Sequence, residues 1–490
     1  ERIVSKTIRV HAPCCGSFPA NKPRQARFDP FLVQERSRSH IAHPSGLNRE
    51  NTLLKGGAMF PLRCRAQNYA WGKQGSESAV AQMLEGSGEA IDGEKRYAEL
   101  WCGTHRSGPS ELVDEDGKVS LLSDWLVSNP AALGERQIGR YGTNLPWLFK
   151  TLSISSALSI QVHPNIEQAQ EMHRLRPTTY DDNHKPEMAV ALTPFEALCS
   201  FRPLSSIARD WQRLPALALL IPAAVKEELA QLETASSPLC KADESRLLQI
   251  AFTAVLQATP QLLTEAVTLH LKELEAAKSQ QDVLADEARS KLFVELHGIY
   301  GVDAGLFCLF FLHYVNLQAG DAIFLNAGVP HAYLRGNCVE IMAASDNVVR
   351  CGLTPKEKDI ASLLLTLQFE TVPETPLVQT RHLTQLPSFV RLYEVPIPEF
   401  ALISIDIPVG APLPMEVDGT EVEENMQWGG NSPAIWQVHE GEGIFSFEKT
   451  GQTVAIHKGT VSFQSATSGK WTLRVTTLPF RAYAGITGRQ

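Results

Sequence analysis

Four short segments of this 490-residue chain carry side chains able to hold a divalent ion or to move a proton. In ALSIQVHPN (157–165), strand alternation sets Leu158, Ile160 and Val162 on one side and Ser159, Gln161 and His163 on the other. Gln161 and His163 therefore share a face, although a histidine at a strand end before proline also fits an ordinary core or surface position. DDNHKPEMAVAL (181–192) ends in a strand whose Met188, Val190 and Leu192 face a core, which turns Glu187 the other way with Ala189 and Ala191. Lys185 stands two residues before Glu187, and taken alone the segment also reads as a charged loop entering a strand. GDAIFLNAGVPHAYLRG (320–336) contains a Gly-Asp turn, an apolar strand, a glycine-containing turn and Pro330-His331. CVEIMAASDNVVRCGLTPK (338–356) sets Glu340, Asp346, Arg350 and Lys356 in an otherwise apolar stretch, where charge is costly to bury unless it is paired or used.

The elements that must position these groups follow from hydrophobic periodicity. From about 60 to 202, short apolar runs alternate with turn signals and predict mostly strand, with helical pieces near 79–84 and 120–134. Between 204 and 298, Ala, Leu, Glu, Lys and Gln dominate and apolar residues recur at three and four, as in Leu247, Leu248, Ala251, Phe252 and Val255. That pattern is a helical insertion. Strand character returns from about 306 with the apolar runs 306–312, 314–317 and 322–325. A proline-rich linker near 373–376 precedes further short strands through 484. The expected fold class is mostly β with a helical insertion, and two β units flanking helices suggest duplicated barrels.

Composition narrows the function classes. Residues are 43% hydrophobic and 20% charged, as in ordinary globular proteins, and the longest apolar stretches fall short of a membrane span. The net charge of −9 combines +6 over residues 1–58 with about −15 over the rest. So acidic a body repels nucleic-acid backbones, while leaving room for a local basic pocket that takes one phosphate. Nine cysteines with no CxxC pair fit reduced thiols in a cytosol-like compartment, with Cys338 and Cys351 as buried apolar thiols. Residues 1–58 are basic and rich in Ser and Pro. They read either as an organelle transit peptide or as upstream sequence ahead of Met59.

The segment 320–336 resembles the second signature motif of cupin barrels, whose histidine binds a metal. Asn326 stands where that motif often has proline. Together the four segments, with QNYAWGK (67–73), YAELWCGTHRSGPS (97–110), LPWLFKTLSISSALSIQVHPN (145–165) and TPFEALCSFRP (193–203), resemble the type I mannose-6-phosphate isomerases. The resemblance is strong over 60–203 and 296–370 and weaker elsewhere. It implies two cupin-like, jelly-roll-type β-barrels: a catalytic one from 59–203 plus 299–370, and a C-terminal one from 371–490 without metal. The helical domain 204–298 is inserted in the first.

By position, the family's zinc ligands fall on Gln161, His163, Glu187 and His331, a donor set suited to one zinc ion with a coordination position left open. The resemblance places the functional arginine on Arg350 and the lysine of its KPE motif on Lys185. It sets Lys150 and Ser159 toward the substrate phosphate, with Tyr333, Glu340, Asp346 and His184 lining the pocket. Cys102 and Ile341 depart from the family's usual residues and affect local packing only.

The implied reaction interconverts mannose 6-phosphate and fructose 6-phosphate through a cis-enediol, supplying GDP-mannose and glycan synthesis, in a cytoplasmic monomer whose partner is a small sugar phosphate. Glu340 is the favoured base, since a desolvated carboxylate titrates nearer neutrality; Lys185 and a metal-bound water are the alternatives. Two rival functions are a cupin-type iron oxygenase, weakened by Gln161 where such enzymes place histidine, and a sugar-phosphate sensor without turnover.

Overall fold

The computed structural model describes residues 57–113, 118–234, 240–280, 287–373, 388–419, 422 and 432–489. The basic segment 1–58 lies outside them except for its last two residues. Apolar alternation produces two large sheets, and every pairing between their strands is antiparallel. One sheet runs, in spatial order, through Leu312–Leu317, Phe195–Phe201, His331–Ala343, Trp147–Ile154, Glu99–Cys102 and Arg65–Gln67. Glu187–Ala191, Ala322–Leu325, Ile160–Val162 and Val349–Gly352 join it off that path.

The thirteen-residue strand His331–Ala343 is the spine of this sheet. It pairs with Phe195–Phe201 up to Arg335 and then, from Gly336 onward, with Trp147–Ile154. Gly336 makes the change of partner possible. Its φ of +117° is one that side chains rarely tolerate, and a Cβ there would lie 2.6 Å from the carbonyl oxygen of Pro194. The bend lets one strand carry both His331 and Glu340.

The second sheet is built chiefly from C-terminal strands, including the long Ala434–Phe447 and Trp471–Ile486. It also takes in Met59–Arg63, Glu111–Val113 and Val119–Leu121 from near the start of the described chain. Sheet membership therefore does not follow the division between 59–203 and 371–490 expected from sequence, and the described residues fall in one compact unit. A strand such as Met59–Arg63, apolar on alternate positions, does not encode which sheet it joins.

Helices occupy the expected stretch: Leu204–Arg213, Pro215–Leu220, Ala223–Thr234, Lys241–Leu256, Pro260–Gln280 and Glu287–Tyr300. The stripe Leu247, Leu248, Ala251, Phe252 and Val255 is fully buried. It shares one core with Ile160 and Val162, so the helices pack on the back of the strand that bears Gln161 and His163. Helix and strand make nearly equal shares of the structure, more helix than a mostly-β reading expects. Two helices that the sequence reading passed over contribute, Ile166–Leu175 and Ile360–Thr366. The apolar run 306–312 is also mostly not strand. Gly305–Cys308 is a short helix, and the strand begins only at Leu312. A short apolar run buried on all sides has no periodicity to tell the two apart. No single helix among the described residues is long and apolar enough to cross a membrane.

Candidate metal centre

Three neighbouring strands bring distant residues to one level. His331 pairs with Gln161, and Gln161 pairs on its other side with Arg350, so the three side chains share a sheet face. Ile160 and Val162 point into the helical core, which leaves Gln161 and the following His163 on the opposite side. Glu187 opens its own strand, with Ala189 and Ala191 in the apolar cluster that surrounds Tyr333.

Here His163, Glu187 and His331, all fully buried, place ligand-capable atoms within 4.8 Å of one another. His163 Nε2 lies 3.3 Å from Glu187 Oε2, and His331 Nε2 lies 3.0 Å from Glu187 Oε1. The amide end of Gln161 is 3.4 Å from His331 Nε2. Each imidazole is turned by its other nitrogen: His163 Nδ1 donates to the Asn347 carbonyl at 2.7 Å, and His331 Nδ1 to the Val329 carbonyl at 2.9 Å. Both Nε2 lone pairs therefore face the carboxylate.

Protonation states agree with this arrangement. Burial, with the Lys185 ammonium, pulls the His163 imidazole down to about 3, so it is neutral. Burial alone would raise Glu187, yet Lys185 and the two histidines hold it well below the usual carboxylate range. Among the described residues, neither His163 Nε2 nor Glu187 Oε2 has a hydrogen-bond partner. Two buried acceptor atoms facing each other at 3.3 Å are costly in a protein interior even with the Lys185 ammonium 3.4 Å from Glu187 Oε2, and a cation between them removes the cost. Two imidazoles, a carboxylate and an adjacent amide thus fit a borderline divalent ion by donor type and burial.

A second charged group lies on the same face of the sheet. Lys150, Glu340 and Trp101 occupy cross-strand positions. Lys150 Nζ sits 3.2 Å from Glu340 Oε2 and 3.6 Å from Glu99 Oε2, and 4.7 Å above the Trp101 ring. Trp101 Nε1 also donates to Glu99. Burial would lower the Lys150 pKa, but Glu99 and Glu340 outweigh it and raise it, keeping the ammonium charged. Burial, with the charge of Glu187, pushes Glu340 upward. Tyr333 Oη donates to Glu187 Oε1 at 3.1 Å, and Lys185 Nζ stands 3.4 Å from Glu187 Oε2.

The remaining candidates are distributed more widely. Arg350 is half-buried beside Gln161, with Tyr180 near enough to act on its guanidinium electrostatically. Ser159 is half-buried just before the Ile160–Val162 strand. Asp346 is exposed and accepts from Ser107 Oγ at 3.1 Å, which puts it at the rim beside the 103–110 loop. His184 is taken up by Glu399, at 3.1 Å, rather than by the ligand-capable cluster. Sequence reasoning assigned no role to Glu99, Trp101, Asn347 or Glu399. Glu99 and Trp101 alternate within YAELWCGTH, a charge and an indole on one face of an apolar strand, and that was the available signal. Glu399 carried none, because its contact spans 215 positions.

Residues 59–204 match the family model described as phosphomannose isomerase type I, catalytic domain. The chain is 38% identical to the human mannose-6-phosphate isomerase, over 71% of this chain and 82% of that one. It is 39% identical to the Schizosaccharomyces pombe mannose-6-phosphate isomerase, over 83% and 95%. Among solved structures, a zinc-bound mannose 6-phosphate isomerase is similar with a TM-score of 0.70 at 28% identity, over 89% of this chain and all of that one. A variant of phosphomannose isomerase from Salmonella typhimurium gives 0.71 at the same identity and coverage.

Proposed function

From the premise that this chain belongs to the type I phosphomannose isomerase family and is an aldose-ketose isomerase, we propose that it interconverts mannose 6-phosphate and fructose 6-phosphate with one zinc ion. The ion is held by His163, Glu187, His331 and the amide oxygen of Gln161. The observation that carries this reading is the buried cluster whose facing acceptor atoms, His163 Nε2 and Glu187 Oε2, have no hydrogen-bond partner among the described residues. When bound, zinc supplies a positive charge that stabilises negative charge developing on the substrate oxygens.

The rest of the chemistry belongs to the chain's own residues. Interconversion through a cis-enediol moves one proton between C1 and C2 and another between their oxygens. Glu340 takes the carbon-bound proton: its carboxylate is buried and raised toward neutral pH, which strengthens it as a base. Lys150, charged and 3.2 Å from Glu340, faces the same space and stabilises the negative charge that forms as that proton leaves. Lys185 and Tyr333 orient Glu187 from two sides.

Arg350, always protonated and half-buried beside Gln161, takes the phosphate together with Ser159, using binding energy remote from C1 and C2 to position them, whereas Lys150, enclosed by Glu340 and Glu99, serves the reacting end and not the phosphate. Asp346 and His184 shape the surrounding wall. The same reading takes the sheet that carries the ligands, drawn from strands within 65–201 and 312–352, as a cupin-like barrel with the helices of 204–298 inserted, and the second sheet, which also takes in Met59–Arg63, Glu111–Val113 and Val119–Leu121, as a second barrel without metal. It places the protein upstream of GDP-mannose and glycan synthesis.

The test is to incubate the purified, metal-analysed protein with mannose 6-phosphate and follow fructose 6-phosphate, with and without a chelator. Turnover that a chelator abolishes and zinc restores supports the reading. Binding without turnover, or bound iron with O2 consumption, rejects it in favour of a sensor or an oxygenase.

A further inference from the structure

The two imidazoles of the cluster are held in different ways. His331 is oriented by the carbonyl of Val329, two residues back in its own turn. His163 is oriented by the carbonyl of Asn347, 184 positions further along the chain. The first arrangement is local, whereas the second is only as good as whatever places Asn347.

Asn347 is 1% exposed and is placed by its own side chain. Its Nδ2 donates to the Asn183 carbonyl at 2.8 Å, the Asp181 carbonyl at 2.9 Å and Asp181 Oδ1 at 3.1 Å. Its Oδ1 accepts from the Asp181 backbone N–H at 2.8 Å. Ser345 reinforces the junction, its Oγ lying 2.9 and 3.0 Å from the two Asp181 carboxylate oxygens and accepting from the Asn347 N–H at 3.2 Å. The turn so gripped, Asp181 to Asn183, leads within four residues to Glu187.

We propose that Asn347 is a positioning residue for the metal centre. Its main chain fixes the tautomer and direction of His163, while its side chain clamps the turn that leads to Glu187, so two ligands from separate strands are held at one spacing. The inference rests on the metal reading above. Only an amide serves here, because the junction uses both its donor and its acceptor. An aspartate of the same shape offers no N–H to three acceptors and sets a carboxylate against that of Asp181. Outer partners of metal-bound histidines commonly change metal affinity by about 10- to 100-fold when removed.

The experiment uses the full chain and reads zinc affinity by competition with a chromogenic chelator, together with melting temperatures with and without zinc. Asn347→Asp and Asn347→Ala are expected to raise the zinc dissociation constant by about 10- to 100-fold, with Asp at least as damaging as Ala. The rise in melting temperature that zinc confers shrinks in both. A merely structural link would lower the zinc-free and zinc-loaded melting temperatures equally and leave the dissociation constant unchanged; that result overturns the proposal. Should both Asn347 variants fail to fold, Ser345→Ala decides: a severalfold weaker zinc affinity supports the proposal, and an unchanged one overturns it. If the parent protein binds zinc no better than Glu187→Gln, the metal reading itself is at fault, and that outcome is distinct from the others.

Discussion

Replacing Lys150 by methionine tests whether the buried charges beside the metal centre depend on one another. Methionine keeps most of the length of the side chain and removes only the ammonium of a residue that is 5% exposed, a group 3.2 Å from Glu340 and 3.6 Å from Glu99. Both carboxylates are themselves buried, at 3% and 8% exposure, so neither can turn to water when the cation is lost. Removing one partner from a buried ionic group costs about 3–5 kcal/mol, because the charge left behind stays desolvated. The cation–π contact with the buried Trp101 ring adds about 2 kcal/mol.

Against a total stability of roughly 5–15 kcal/mol, such a loss is large and readily measured. Urea unfolding should be followed in chelator, so that metal binding does not contribute. The double variant Lys150→Met/Glu340→Gln should recover about 1–3 kcal/mol of the loss, since it removes one of the two stranded carboxylates. A loss below about 1 kcal/mol, the range of exposed ion pairs, would refute the reasoning, as would a double variant no more stable than the single one.

Other expectations follow from the same geometry. Glu340→Gln should cut exchange of the substrate C2 proton with deuterated solvent by about 100-fold or more, and undiminished exchange removes Glu340 as the base. Gly336→Ala should destabilise the fold, because the added methyl meets the Pro194 carbonyl in a backbone conformation that already disfavours it; an unchanged urea midpoint would contradict that account of the strand's bend. His439 is buried and, with Arg481 and Lys458 nearby, pulled down to about 3 from an unfolded value near 6.5. The neutral form is thus the folded one. The contribution is fully present above about pH 6.5 and is lost as pH falls toward 3, reaching about 2 kcal/mol by pH 5. His439→Gln should flatten that part of the stability–pH curve between pH 7 and 5, and an identical slope in the variant would refute the assignment.

What could be read from sequence, and what could not, divides by range along the chain. Alternation in SIQVH turned Gln161 and His163 to one face, and the structure shows why: Ile160 and Val162 are packed into the helical core behind them. The helical stripe around Leu247 to Val255 was equally plain, because five apolar residues at three-four spacing have one way to be buried. Contacts set by the meeting of distant segments were not legible. Lys150 gives no sign in its own strand of being enclosed by Glu99 and Glu340. His184 meets Glu399 from the C-terminal part, and Met59–Arg63 joins a sheet built mainly from residues more than 300 positions away. One overlooked signal was local. Asn165 and Gln168 make a reciprocal capping box at the start of the Ile166–Leu175 helix, a spacing that marks a helix start before any fold is known.

The central claim is that two imidazoles and two oxygen donors, brought together by three strands, hold one zinc ion. X-ray absorption at the zinc edge on the purified, zinc-loaded protein tests it most directly. The account predicts only nitrogen and oxygen neighbours at about 2.0–2.2 Å, with the outer-shell signature of two imidazoles that falls to one in His331→Ala. A sulfur neighbour near about 2.3 Å, or a spectrum unchanged in His331→Ala, would contradict it.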